Sequence, residues 1–172
     1  MPWIAALLKA QIMLCFLVHN TPLGAITLEE ESGALTALHF GIARCNNALP
    51  EKTSLLMTAA RELDEYFSGK RHYFDLPLNP SGTPFQLRCW EVLCRIPYGD
   101  TISYGEEAVL LGNPKACRAV GMANHRNPLP ILIPCHRVIG KNGQMTGYGG
   151  GIAIKEYLLR HEAFWKGRTS YG

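Results

Sequence analysis

The sequence predicts an α+β chain in two parts, a strand-rich part followed by a mainly helical one. Three observations support this expectation. Short apolar or alternating runs at 12–18, 25–30 and 34–40 are separated by the turn clusters Asn20-Thr21-Pro22-Leu23-Gly24 and Glu31-Ser32-Gly33. Residues 75–82, with Pro77, Pro80 and Gly82, have the composition of a linker. Beyond it the apolar spacing is helical as far as a continuous apolar run at Ile131.

The short connections between the first three runs imply an antiparallel meander. Thr53 or Ser54 caps a helix that runs to about Phe67, where Gly69 supplies the stop. Its Leu55, Leu56, Ala59, Leu63 and Phe67 recur at helical spacing, so one face is expected to lie on the sheet. In the second part Thr83-Pro84 starts a helix that carries Phe85, Trp90, Val92 and Leu93 and ends near Pro97-Tyr98-Gly99. Ser103-Tyr104-Gly105-Glu106 has capping-box spacing and opens a helix to Leu111. Gly112 ends that helix, and Asn113-Pro114 is expected to start the next at once, over 114–123. Two helices joined by a tight glycine-containing turn have the form of a helix-turn-helix. The boundary is placed at 1–79 and 80–172, with 1–11 as an unplaced leader. That leader starts uncharged, is interrupted by Lys9 and Gln11, and has Leu14 before Cys15, so it does not fit a secretory signal. No apolar stretch is long enough to span a membrane.

The 172 residues are 47% hydrophobic and 18% charged, the composition of an ordinary globular protein with room for a core. Charge is divided unevenly. Residues 1–112 hold 8 Lys/Arg against 12 Asp/Glu, a net of −4, whereas 113–172 hold 9 against 2, a net of +7. A basic second part suggests a polyanionic partner. The six cysteines form no CxxC pair and no tight Cys/His cluster, which argues against structural zinc. Their scatter through an apolar chain fits reduced thiols in a cytoplasmic protein.

The strongest chemical signal lies at 129–139. An apolar run (Leu129, Ile131, Leu132, Ile133) is broken by Pro134 and delivers Cys135-His136-Arg137. Cys135 is either a small core residue or a thiol activated by a neighbouring base or cation. On an extended strand Cys135 and His136 would point to opposite faces, so they cooperate only if Pro134 bends the chain or a water bridges them. In the helix from Ile152 to about Glu162, Lys155, Leu158 and Glu162 share one stripe. Glu162 is either a solvated charge or the carboxylate that orients the imidazole. Gly147-Tyr148-Gly149-Gly150-Gly151 lacks the spacing of a nucleotide loop and suits the wall of a pocket for a planar ring.

Together these segments resemble the O6-alkylguanine-DNA alkyltransferases, the methylated-DNA–protein-cysteine S-methyltransferase family. The likeness is carried by Pro134-Cys135-His136-Arg137-Val138, Arg118-Ala119-Val120-Gly121, Asn127-Pro128, the GYGGG loop, Lys155, and His161-Glu162. Ile102-Ser103-Tyr104-Gly105, Gly112-Asn113-Pro114 and, more faintly, Thr21-Pro22-Leu23-Gly24 extend it over residues 12–163.

The resemblance implies an RNase H-like α/β first subdomain and a winged-helix-like second one. It implies single-turnover repair without a cofactor or metal, in which the alkyl group of O6-alkylguanine in double-stranded DNA passes to Cys135. O4-alkylthymine is a secondary substrate under the same resemblance. The base is flipped because its reactive atoms are inaccessible within a duplex. His136 would act as a water-mediated base and Glu162 as its orienter, while Asn127 holds the turn. Tyr104 would press on the target phosphate, and Lys155 would support proton delivery to the leaving base. Tyr148, Gly149 and Val138 would form the base pocket. Arg118, Lys115 and Ala119 would meet the minor groove, Arg118 filling the gap left by the flipped nucleotide. No membrane association and no obligate protein partner are implied. His125 stands where bacterial relatives often carry glycine, and Gly149 replaces a hydroxyl residue found in some members.

Other functional classes fit less well. A cysteine hydrolase would leave Arg118-Ala119-Val120-Gly121 beside a helix-turn-helix unexplained. A sequence-reading regulator would carry Arg, Gln or Asn for base edges, not the small residues of 114–123. The non-repairing alkyltransferase-like branch has tryptophan where this chain has Cys135.

Overall fold

The computed structural model describes residues 14–168. The leader 1–11 and the first two residues of the expected strand at 12–18 lie outside that range. Strands β1 (Leu14–Thr21), β2 (Gly24–Glu31) and β3 (Ala34–Phe40) form the expected antiparallel meander. In the first turn the Thr21 hydroxyl accepts from Leu23 N and donates to Gly24 O, which closes the hairpin. β4 (Leu49–Pro50) adds a parallel edge to β1, giving the order β3-β2-β1-β4. Two residues carry no alternation, so this edge left no signal in the sequence.

Helix α1 (Ser54–Phe67) is capped by Thr53, whose hydroxyl accepts from Leu56 N at 3.1 Å. It buries Leu56, Ala59, Leu63 and Tyr66. Gly69 ends it at φ +75°, and a Cβ there would fall 2.0 Å from the Trp165 ring. Glycine is thus required both by backbone angle and by close approach.

Residues 75–82 depart from the expected linker. Leu35 N donates to Pro77 O and Asn79 N to Leu35 O, both at 2.8 Å, so the segment is fastened to the outer edge of β3. Its prolines flank the pairing without preventing it.

The second part comprises α2 (Pro84–Leu93), β5 (Ile102–Ser103), α3 (Tyr104–Leu110), α4 (Cys117–His125), a 3₁₀ turn at Cys135–Arg137, β6 (Val138–Ile139) and α5 (Ile152–Lys166). Capping boxes open α2 (Thr83 with Gln86) and α3 (Ser103 with Glu106). Two expectations are corrected here. The helix placed at 114–123 begins at Cys117, because Ala116 N closes a turn onto Asn113 O at 2.9 Å and Pro114-Lys115 occupy that turn. Proline suits the second position of a turn as well as the first of a helix, so local sequence did not separate the two. The last helix continues a turn past Glu162 to Lys166, because His161 Nε2 donates to Tyr66 O and Trp165 packs over Gly69.

β5 and β6 pair in parallel, Ile102 opposite Val138. Trp90 Nε1 donates to Ala123 O at 3.0 Å, joining α2 to α4. One hydrophobic core runs through both parts, and Leu38 N donates to Pro128 O across their junction. Leu129, Ile131, Leu132 and Ile133 are all buried in it. Each such side chain contributes about 1.5–3 kcal/mol of transfer free energy, which anchors the segment leading to Cys135. Among the described residues no helix is long and apolar enough to cross a membrane.

Candidate active site

The apolar run enters the core through a strained backbone. Ile131 holds φ +74°, a left-handed conformation that β-branched residues rarely adopt and that costs roughly 1–3 kcal/mol. Asn127 ties down the residues on either side of it. Its Nδ2 donates to Ile133 O at 2.7 Å and to Cys135 Sγ at 3.1 Å, while its Oδ1 accepts from Leu129 N at 3.0 Å.

Pro134 (φ −81°, ψ 62°) then turns the chain, and Cys135–Arg137 form one 3₁₀ turn instead of an extended strand. All three side chains are buried. The opposition expected for neighbours on a strand is therefore removed. The thiol differs from the expectation of an already activated nucleophile. Burial pushes Cys135 up to about 11, against the opposing effects of the Asn127 N–H and the Lys155 charge. In the resting protein it is a neutral thiol.

Behind the turn lies a buried charge network centred on Glu162. His136 Nε2 donates to Glu162 Oε1 at 2.8 Å. Arg137 donates through Nε to Oε2 at 2.9 Å and through Nη2 to Oε1 at 3.0 Å. Tyr66 OH, from α1, donates to Oε1 at 2.8 Å, and Gly99 N to Oε2 at 2.9 Å. Burial opposes ionisation of Glu162, yet the hydrogen bonds and charges of His136 and Arg137 hold its carboxyl well below the usual carboxylate range. With Nε2 as donor, His136 carries its lone pair on Nδ1, which is buried and has no protein partner. Burial also holds the imidazole below its ordinary value, so it is neutral and able to accept a proton.

Lys155, fully buried on α5, does not join Glu162 despite their shared stripe. Its Nζ donates to Val138 O at 2.6 Å and to Thr146 O at 3.2 Å, and it stands 5.7 Å from the Tyr104 ring centroid.

A cavity of about 290 Å³ opens on Cys135, walled by Gly149, Asn127, Asn124, Pro130 and, from β3, Phe40. Of the three residues expected to form the base pocket, only Gly149 lines this space. A Cβ at Gly149 would meet only His125 O at 3.8 Å, so its wall has room for a side chain. Tyr148 is buried with its ring 6.0 Å from Phe40, and Val138 is buried in the β5–β6 pair. On the outer face Arg118 and Ala119 are exposed on α4, and Lys115 is exposed in the turn before it. A second groove of about 480 Å³ runs between Tyr104 and α4, lined by Cys117, Gly121 and Met122.

The structure thus brings Cys135, His136, Glu162, Asn127 and Lys155 into one region, with Tyr104 at its edge. Sequence reasoning missed Arg137 as a partner of Glu162, although it adjoins His136. It also missed Tyr66 and Gly99, which are distant in the chain, and the contribution of β3 to the cavity wall. Among the described residues no group of three His, Cys, Asp or Glu side chains is arranged to hold a metal.

This architecture has close counterparts. Residues 84–164 match the model of the 6-O-methylguanine DNA methyltransferase DNA-binding domain, and 14–80 that of the same family's ribonuclease-like domain. The chain is 49% identical over 147 residues to the methylated-DNA–protein-cysteine methyltransferase of Methanosarcina barkeri, covering 83% of this chain and 93% of the relative. It is 47% identical over 151 residues to the constitutive methylated-DNA–protein-cysteine methyltransferase of Bacillus subtilis, covering 83% and 92%. The crystal structure of Mycobacterium tuberculosis O6-methylguanine methyltransferase superposes with a TM-score of 0.82 at 42% identity, covering 88% of this chain and 94% of that one. Mycobacterium tuberculosis OGT in complex with DNA superposes at 0.81, with 42% identity and coverage of 87% and 93%.

Proposed function

Because the chain belongs to the 6-O-methylguanine DNA methyltransferase family and repairs DNA by transferring an alkyl group to a cysteine of its own, we propose that Cys135 is that cysteine. One observation carries the assignment. Cys135 Sγ sits 3.1 Å from Asn127 Nδ2 at the mouth of a cavity, in the same turn that presents His136 to Glu162.

In this reading the thiol proton passes through one water to His136 Nδ1, and the resulting imidazolium is stabilised by Glu162. Sγ attacks the alkyl carbon in line; an S–C bond forms, the C–O6 bond breaks and its electron pair leaves on guanine. Proton delivery to the departing base, supported by Lys155, lowers the barrier. The product is a thioether, which offers no carbonyl to water, so each molecule acts once.

The flipped base occupies the space between Cys135 and Gly149, with Tyr148 behind that wall and Val138 holding Lys155 through its carbonyl. Tyr104 presses on the target phosphate. The exposed Ala119 and half-buried Gly121 permit close approach of α4 to the minor groove, where Arg118 fills the vacated stack and Lys115 meets phosphate. O6-alkylguanine is the principal substrate and O4-alkylthymine the secondary one. The division of labour falls at residue 79/80. A thiol acceptor works only when reduced, which favours the cytoplasm.

Incubation with a duplex containing one O6-methylguanine is expected to leave a single methyl group on the Cys135 peptide. Methyl on another cysteine, or more than one turnover per molecule, would overturn the assignment. Duplex affinity is expected to fall with salt, the log–log slope shrinking by about one for Lys115→Ala, while Arg118→Ala weakens duplex binding. An unchanged slope in Lys115→Ala together with unchanged affinity in Arg118→Ala would remove these residues from the DNA face.

A further inference from the structure

Helices α3 and α4 meet at two buried polar side chains that the chemistry above does not use. Glu107 is fully buried and Asn124 is 6% exposed. Asn124 Nδ2 donates to Glu107 Oε2 at 2.7 Å. The other oxygen of each group, Glu107 Oε1 and Asn124 Oδ1, is buried without a hydrogen-bond partner. Unpaired buried acceptors are costly, and here two occur on a pair already joined by one hydrogen bond. A single proton shared by Glu107 Oε1 and Asn124 Oδ1 would satisfy both. A carboxylic acid and a carboxamide close a ring of two parallel bonds, the amide N–H to the acid carbonyl and the acid O–H to the amide oxygen.

We infer that Glu107 is held as a neutral acid, and that this acid–amide pair positions Asn124 in the wall of the Cys135 cavity. The inference rests on Cys135 being the alkyl acceptor. Asn124 lines the same cavity as Cys135, so the pair connects the helix-turn-helix to the space where the alkyl group is received. The surroundings favour the neutral form. Cys89 on α2, Tyr104 on its own helix and Cys135 in the 3₁₀ turn interact with Glu107, are themselves held neutral by burial, and so supply no positive charge to an ionised carboxylate. On α4 the contact is the neutral Asn124, while Cys117, Arg118 and His125 are exposed; β5 and β6 carry no titratable side chain. Burial raises the Glu107 carboxyl to about 7, more than the Asn124 hydrogen bond lowers it. Above that pH the ionised carboxylate loses the second bond and places a negative charge toward the thiol. Glu107 is thus a positioning residue that acts through Asn124.

Glu107→Gln forms the same two-bond ring without titrating, and is the test. A carboxyl raised in the folded state stabilises at low pH, and that stabilisation is lost as pH rises through its folded value. Between pH 6 and pH 9 wild type is expected to fall behind Glu107→Gln by about 4 °C or more in Tm. Its single-turnover rate on an O6-methylguanine duplex is expected to drop at least about threefold relative to the variant. The pH dependence that Cys135 has independently of Glu107 is common to both proteins and cancels in the ratio. Glu107→Leu, which lacks either bond, is expected to fall below wild type in both readouts at pH 6, with a pH-independent ratio to Glu107→Gln. Differences between wild type and Glu107→Gln that stay constant from pH 6 to 9 would overturn the inference. If Cys135 is not the acceptor the rate comparison loses its signal, but the melting comparison still decides whether the acid–amide pair exists.

Discussion

Glu162→Gln is expected to slow alkyl transfer about a hundredfold or more and to cost roughly 3–5 kcal/mol of stability. The carboxylate accepts five hydrogen bonds, from Tyr66, Gly99, His136 and, twice, Arg137. An amide removes the charge opposite the Arg137 guanidinium, leaving a buried cation uncompensated. It also presents an NH₂ group to partners that are all donors. Transfer suffers separately, because the imidazolium formed when His136 takes the thiol proton loses its counter-charge. Single-turnover transfer and urea denaturation read the two effects independently. The pH dependence has a definite sign. A carboxyl depressed in the folded state stabilises above its unfolded value near 4.3 and loses that contribution as pH falls. The stability gap between wild type and variant should therefore narrow on acidification below about pH 4. A gap that widens with acid would show that Glu162 is not the anion of this network.

Asn127→Ala ranks second, with an expected cost of about 2–4 kcal/mol and a thiol still less acidic than in wild type. Three bonds from one side chain are lost, leaving Leu129 N without its partner, Ile133 O with only the Cys135 N–H, and Cys135 Sγ without its N–H donor. That donor is the largest of the influences opposing the burial of the thiol. Alkylation of Cys135 by iodoacetamide, followed at the level of its peptide across pH 7–10, should shift to higher pH in the variant. Peptide-level detection matters because Cys94 and Cys117 are exposed. An unshifted profile alongside a lowered Tm would confine Asn127 to a structural part.

Local signals were legible in the sequence. Thr53 and Gly69 bounded α1, and the spacing of Ser103 and Glu106 identified the capping box of α3. These features act within a few residues, so a single chain segment contains the whole signal. The two-residue strands β4, β5 and β6 are set by partners elsewhere in the chain, and nothing in their own composition announces them. The site divides in the same way. Cys135, His136 and Glu162 were visible as a motif and a helical stripe, but the stripe also suggested that Lys155 stood with Glu162. Val138 O and Thr146 O hold Lys155 instead. Glu107 was hidden beside Glu106 as one more acid at a helix start. Only packing shows that Glu106 caps in solvent while Glu107 lies in the core.

The hydrogen bond from Tyr66 to Glu162 spans 96 residues of sequence and joins the helix of the strand-rich part to the charge network behind Cys135. During synthesis, Tyr66 leaves the ribosome long before its partner. A nascent chain that already displays Cys135 and His136 has no carboxylate to orient the imidazole and no closed pocket for the guanidinium. Cys135 and His136 are therefore made before the carboxylate that holds the imidazole. The network centred on Glu162 is complete only once the strand-rich part and the last helix have both been made.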